Sequence, residues 1–184
     1  MKWKEIDLKE QIMAFFNHRS GLILKEFDIC QGRCRADMVW ADDFLYGMEI
    51  KSDRDNLLRL PQQIQYYDEV FYYCFIVTTE KYLEKTMSMV PEYWGVFVLT
   101  DHLQVIRGAE ANPKINKRSM LQLLWSNELK TLVKRFKIKK YSKLRKNQLI
   151  KLLLPLYEEL ELAQVITEIV KQRTQLLRKT QDYH

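Results

Sequence analysis

The chain is short of the residues that break or staple a fold: its 184 residues include 5 Gly, 4 Pro and 3 Cys. So few breakers leave little room for a disordered linker, and 47% hydrophobic with 29% charged residues is the balance of an ordinary folded protein. An odd number of cysteines without paired spacing argues against a disulfide framework and for a reducing compartment. Cys30 and Cys34 have no second pair to complete a tetrahedral zinc site. Histidine is scarce as well. His18, His102 and His184 all lie away from the acidic clusters in sequence, which disfavours histidine–metal chemistry. No apolar run approaches the length of a membrane span. The opening Met1-Lys2-Trp3-Lys4-Glu5 carries an acid where signal and transit peptides avoid one, so neither is expected. These absences point to a cytoplasmic protein without a membrane partner.

Charge, by contrast, is abundant and unevenly spread. Residues 1–116 hold 14 Lys/Arg against 18 Asp/Glu, whereas residues 117–184 hold 16 against 6. The stretch 130–151 has ten basic residues and no acidic one. A basic surface of that density attracts polyanions, nucleic acid being the commonest. The plainer alternative is a solvated, lysine-rich helix face. The acidic front half is the less usual feature, because a simple nucleic-acid-binding module has little need of clustered carboxylates.

Hydrophobic periodicity predicts a helix over 3–19, then strands over 22–29, 35–40 and 44–51 with turns at Gln31-Gly32 and Ala41-Asp42-Asp43. A helix over 61–69 is followed by a continuous apolar strand over 71–78, a helix over 81–89 and strands over 95–100 and 103–107. The expected fold class is α/β, a mixed sheet flanked by helices. After Pro113 the pattern becomes helical only, with candidates at 119–125, 128–136, 144–154 and 158–178, the third capped by Ser142. This divides the chain into a core at 1–112 and a basic helical module at 113–184. Oligomeric state is left open, and a dimer is compatible with it.

The hairpin 35–51 carries the chemistry. Alternation puts Glu49 and Lys51 on one face, Met48 and Ile50 on the other. A three-residue loop of Asp42, Asp43 and Phe44 would pair Ala41 with Leu45 and set Asp37 opposite Glu49; a two-residue loop would send Asp37 to the wrong face. Two carboxylates directly opposite one another destabilise a sheet unless a cation lies between them. A divalent metal would turn that cost into a binding site, and Lys51 would place an ammonium where charge builds on a phosphate. Glu26, on the adjoining strand, is a candidate further ligand or water-orienting base. The competing reading is two surface carboxylates beside a lysine at a strand end. Asp53, Asp55 and Arg59 follow closely, with helix capping and solvated charge at least as apt a role as metal or phosphate contact. The aromatic stretch Tyr66, Tyr67, Phe71, Tyr72 and Tyr73 reads as core leading into a buried strand, with base stacking as the alternative.

Arg35-Ala36-Asp37, Gly47-Met48-Glu49-Ile50-Lys51-Ser52-Asp53 and Arg59-Leu60-Pro61-Gln62-Gln63-Ile64-Gln65-Tyr66-Tyr67 resemble the core of the PD-(D/E)XK nuclease superfamily, a restriction-endonuclease-like fold. More narrowly they resemble its bacterial and phage sce7726 family, related to MmcB-like DNA-repair nucleases. Val90-Pro91-Glu92-Tyr93-Trp94-Gly95 and Leu123-Leu124-Trp125 are similar to later segments of that family, so the likeness runs from about residue 8 to 128. It implies a Mg²⁺- or Mn²⁺-dependent deoxyribonuclease, active in repair, recombination or defence of a bacterial or phage-infected cell. Asp37, Glu49 and the carbonyl of Ile50 would face the metal, and Lys51 would be the catalytic cation. Gln63 and Tyr67 match the Gln-x-x-x-Tyr motif of RecB-like members, where they support the site and contact nucleic acid; i, i+4 spacing places them on one helix face. Ala36 stands where the superfamily usually has proline. Residues 128–155 also resemble the helix–extension–helix of SAP-type DNA-binding motifs, with 137–141 extended. That likeness implies that Lys139, Lys140, Lys143, Arg145 and Lys146 meet phosphates, giving salt-sensitive, sequence-independent affinity. An interaction platform or dimerising helical hairpin is the alternative there. The rivals for the whole are a catalytically silent nucleic-acid-binding adaptor and a nuclease directed at RNA.

Overall fold

A computed structural model describes residues 2–181; His184 lies outside the described residues. The first apolar stripe becomes α1 (Glu5–Phe16), whose Leu8, Ile12 and Phe16 recur every fourth residue and are buried together. They pack on Met38, Met48, Ile50, Val77 and Phe97 from one face of the sheet. β1 (Leu22–Ile29), β2 (Cys34–Ala41) and β3 (Leu45–Lys51) form an antiparallel meander. α2 (Leu60–Val70) and α3 (Leu83–Met89) are the crossovers that bring β4 (Tyr73–Thr79) and β5 (Gly95–Leu99) in parallel to β3, and β6 (Leu103–Arg107) returns antiparallel at the edge. The protein is therefore an α/β molecule with an open, mixed, six-stranded sheet in the order β1-β2-β3-β4-β5-β6.

The apolar run predicted to start a strand at Phe71 starts one at Tyr73 instead. Phe71 belongs to the end of α2, its N–H bonded to the Tyr67 carbonyl at 2.9 Å. Its ring fills the space where Gly47 has no side chain; a Cβ at Gly47 would lie 2.2 Å from that ring.

The other face of the sheet carries α2 and the C-terminal helices α4 (Lys117–Gln122), α5 (Ser126–Arg135), α6 (Lys146–Leu153) and α7 (Glu159–Gln181). One apolar cluster runs from Val39, Ala41 and Leu45 through Tyr67, Phe71 and Trp94 to Leu121, Leu132, Ile150, Ile166 and Val170. Across the division expected at residues 112 and 113 the apolar packing is continuous. Asn112 is buried and donates to the carbonyls of Asp68 at 2.7 Å and Phe71 at 2.9 Å, fastening the proposed boundary to α2. α7 reaches back to the first strands, with Lys171 Nζ on the Asp42 carbonyl at 2.9 Å and Arg178 on that of Ile23 at 2.7 Å.

Two local expectations in the tail fail. Ser142 does not cap α6; Arg145 precedes the helix and its N–H is met by Gln148 Oε1 at 2.9 Å, leaving Ser142 in the preceding turn. Residues 137–141 are not extended either, because Lys137 (φ 55°) and Lys140 (φ 61°) adopt left-handed turns.

Candidate functional site

The register predicted from loop length is the one observed, with Ala41 opposite Leu45 and Met38 opposite Met48. Continued one step, it sets Asp37 against Glu49, and the β1–β2 register sets Glu26 against Asp37. At both places the regular ladder lapses. Asp37 Oδ2 instead accepts the Ile50 N–H at 2.7 Å, while the Asp37 N–H donates to the Tyr67 hydroxyl at 3.3 Å. Glu26 sits in the left-handed region, φ 51°, at a cost of roughly 1–2 kcal/mol for a residue with a side chain. Strain and interrupted pairing thus converge on Asp37, as they do where a backbone is shaped for a ligand.

β3 delivers Glu49 and Lys51 onto the face covered by α2. Glu49 is 1% exposed; its Oε1 accepts from Lys51 Nζ at 2.6 Å, and its Oε2 is buried with no hydrogen-bond partner among the described residues. Lys51 Nζ also donates to Gln63 Oε1 at 2.9 Å. The Tyr67 hydroxyl donates to the Met48 carbonyl at 3.3 Å. Gln63 and Tyr67 therefore meet the site together, one turn apart on α2, as their spacing predicts. Burial and then the Glu49 charge push the Asp37 carboxyl up to about 8, against the N–H of Ile50 and the charge of Lys51. Burial also raises Glu49, opposed by its ion pair with Lys51.

The carboxylates of Glu26 and Glu5 converge with that of Asp37, oxygens of all three lying within 4.8 Å of one another. Glu49 lies outside that trio and is coupled to Asp37 through its charge. Ile50 enters the site through its N–H. Lys9 spans Glu5, at 2.6 Å, and Glu26. Converging carboxylates, together with the unpartnered buried oxygen of Glu49, are hard oxygen donors of the kind Mg²⁺ and Mn²⁺ take, so the residues fit a divalent cation. Glu5 was missed in the sequence: with Lys9 four residues on, it reads as an ordinary surface pair of a helix.

A cleft of about 420 Å³ opens on Glu26 and Asp37, walled by Arg33, Cys34, Arg35, Arg59, Gln62, Gln63 and Tyr66. Burial, then the charge of Glu49, pushes the Cys34 thiol up to about 12. Asp53 and Asp55, left outside the catalytic set, prove to hold the loop after β3. Asp53 accepts from the Trp3 N–H at 2.8 Å and the Thr79 hydroxyl at 2.6 Å, Asp55 from the Ser52 N–H at 2.8 Å and hydroxyl at 2.6 Å.

Residues 2–182 match the family described as bacteriophage P4 protein cII. The chain belongs to that family. Protein cII of Enterobacteria phage P4 is 28% identical over 121 residues, which is 63% of this chain and 46% of cII. The chain thus spans less than half the length of that curated relative. A Silicibacter pomeroyi protein of unknown function is similar in structure, with a TM-score of 0.48 and 14% identity over 75% of this chain and 94% of that one.

In this cII-family chain the basic tail divides. Lys139, Lys140, Lys143 and Arg145 are exposed around the turn before α6. Lys146 is half-buried, donates to the Gln122 carbonyl at 2.8 Å and has its pKa lowered by that burial and by Arg173, so it serves the packing of α6. Among the described residues no helix is long and apolar enough to cross a membrane.

Proposed function

We propose that this cII-family protein is a metal-dependent nuclease of the PD-(D/E)XK type, similar to the sce7726 family, that hydrolyses DNA phosphodiester bonds in the service of repair, recombination or phage–host defence. The observation that carries the reading is the arrangement around Asp37. Three carboxylates converge on an interrupted strand, a fourth keeps a buried oxygen without a partner among the described residues, and Lys51 stands beside it. Such a layout is poor for stability and apt for holding a cation against a phosphate. The restriction-endonuclease-like assignment of the sheet rests on the same hairpin and on Gln63 and Tyr67.

In this reading Asp37 and Glu26, joined by Glu5, hold Mg²⁺ or Mn²⁺, with Glu49 and the Ile50 carbonyl completing the set. The bound ion supplies Lewis acidity and lowers the pKa of a water molecule. Lys51 holds its ammonium, anchored by Glu49 and Gln63, where negative charge grows on the phosphate. Tyr67 fixes the backbone of both reacting strands through Asp37 and Met48. Lys139, Lys140, Lys143 and Arg145 add affinity for the phosphate backbone that is insensitive to sequence.

The test is cleavage of labelled single-stranded, double-stranded and branched DNA with Mg²⁺ or Mn²⁺, by wild type, Lys51→Ala and Glu49→Ala. Metal-dependent cutting lost in both variants supports the nuclease. Wild-type protein that binds DNA but cuts none of these substrates with either ion would leave a silent nucleic-acid-binding adaptor, and cutting confined to an RNA control would move the substrate to RNA.

A further inference from the structure

Part of the cleft wall is built from two pieces with no part in the chemistry above. The first is the turn after β1, where Cys30 (φ 51°), Gln31 (φ 61°) and Gly32 (φ 80°) take the left-handed conformation in succession. Only the last is glycine, so the turn is held at a cost. It is tied down by its own end: Arg33 Nε donates to the Cys30 carbonyl at 3.0 Å, and Cys30 Sγ contacts the Tyr66 carbonyl at 3.6 Å. The result is to lay the Arg33 guanidinium over the Tyr66 ring, 5.4 Å from its centre. The second piece is Arg59, exposed just ahead of α2, whose guanidinium makes no hydrogen bond or ion pair among the described residues.

We infer that this wall is a seat for one unpaired nucleotide, so that the preferred ligand of the cleft is single-stranded DNA or a frayed end rather than continuous duplex. The inference rests on the nuclease reading for the placement of the scissile phosphate but not for the seat itself. The Arg33 guanidinium, backed by the Tyr66 ring, offers a planar cationic platform of the kind on which unstacked bases lie. A base still paired and stacked in a duplex has neither face free to occupy it. Arg59 supplies an unengaged planar donor set for a phosphate oxygen. A volume of about 420 Å³ is in the range of pockets that enclose one small molecule, the size of a single nucleotide.

The experiment is fluorescence-anisotropy titration of the full chain with a labelled oligothymidylate and with a blunt duplex of equal length, in EDTA so that nothing is cut. Wild type should bind the single strand more tightly. Tyr66→Leu should weaken single-strand binding about 5- to 150-fold and leave duplex binding within about twofold, while Tyr66→Phe, which keeps the ring, should restore it. Arg33→Gln should act in the same direction as Tyr66→Leu, and Arg59→Gln should reduce the salt slope of single-strand binding by about 0.7. Thermal melts of each variant separate lost affinity from lost folding. Equal affinity for both ligands, or a folded Tyr66→Leu with unchanged single-strand binding, overturns the seat. Metal-dependent cleavage persisting beside that result would leave the nuclease reading standing. A seat that behaves as described in a protein that cuts nothing would overturn the nuclease reading alone.

Discussion

Glu49 and Lys51 occupy a place where neither charge would be tolerated without the other, and the whole site is tuned around that pair. Removing one partner of a buried pair leaves an uncompensated charge, so Lys51→Met should destabilise the metal-free protein by about 3–5 kcal/mol. The double variant Glu49→Gln/Lys51→Met should recover most of the loss; urea denaturation in EDTA measures both, and a neutral single variant would disprove the coupling. Asp37 leads to a second expectation. Its folded-state pKa, about 8, lies above the ordinary 3.8, so between these pH values the folded chain holds a proton that the unfolded chain has released. Its contribution to stability is fully present below about pH 4, falls as pH rises toward 8, and Asp37→Asn should flatten that slope. Asp37, Glu49 and Lys51 were legible as residues because alternation along one hairpin places them. Glu5 was not, because nothing in α1 announces that its first turn overlies the strained point of β1. Lys146 failed for the opposite reason: its charge was counted, but charge counts do not say which ammonium is consumed by a backbone carbonyl.

Elements were legible wherever a single periodicity ruled them. The β2–β3 register followed from loop length and alternation, and α1 from its every-fourth-residue stripe. The lapse of the ladder at Asp37 was invisible, since it arises when a side chain takes over the acceptor role of a main-chain carbonyl. Glu26 marks that lapse in the backbone. Glu26→Gly should raise stability by roughly 1 kcal/mol through relief of the left-handed strain, while weakening binding of Mg²⁺ or Mn²⁺ by isothermal titration. A loss of stability would show that its contact with Lys9 outweighs the strain. Gly47 is the reverse case. Gly47→Ala should cost about 1–3 kcal/mol by thermal melting, because the added methyl meets the Phe71 ring and not a flexible chain end.

For the whole molecule, the charge boundary near Asn116 reads as a domain boundary, yet apolar packing runs across it. Composition reports what the surface does; it cannot report that Leu121, Leu132, Ile150 and Ile166 complete the same apolar cluster as Val39 and Phe71. A fragment ending at residue 112 should therefore lack a cooperative thermal transition by circular dichroism, where an independent core would melt sharply. α7 adds a consequence in time. Its Lys171 and Arg178 close on Asp42 and Ile23, residues made well before them, and at about 5–20 residues per second the wait between the hairpin and its clasp is roughly 6–25 s. A nascent chain paused before that helix carries the carboxylates of the candidate site on strands not yet held in place, so the site is assembled only after residues 171–178 have been made.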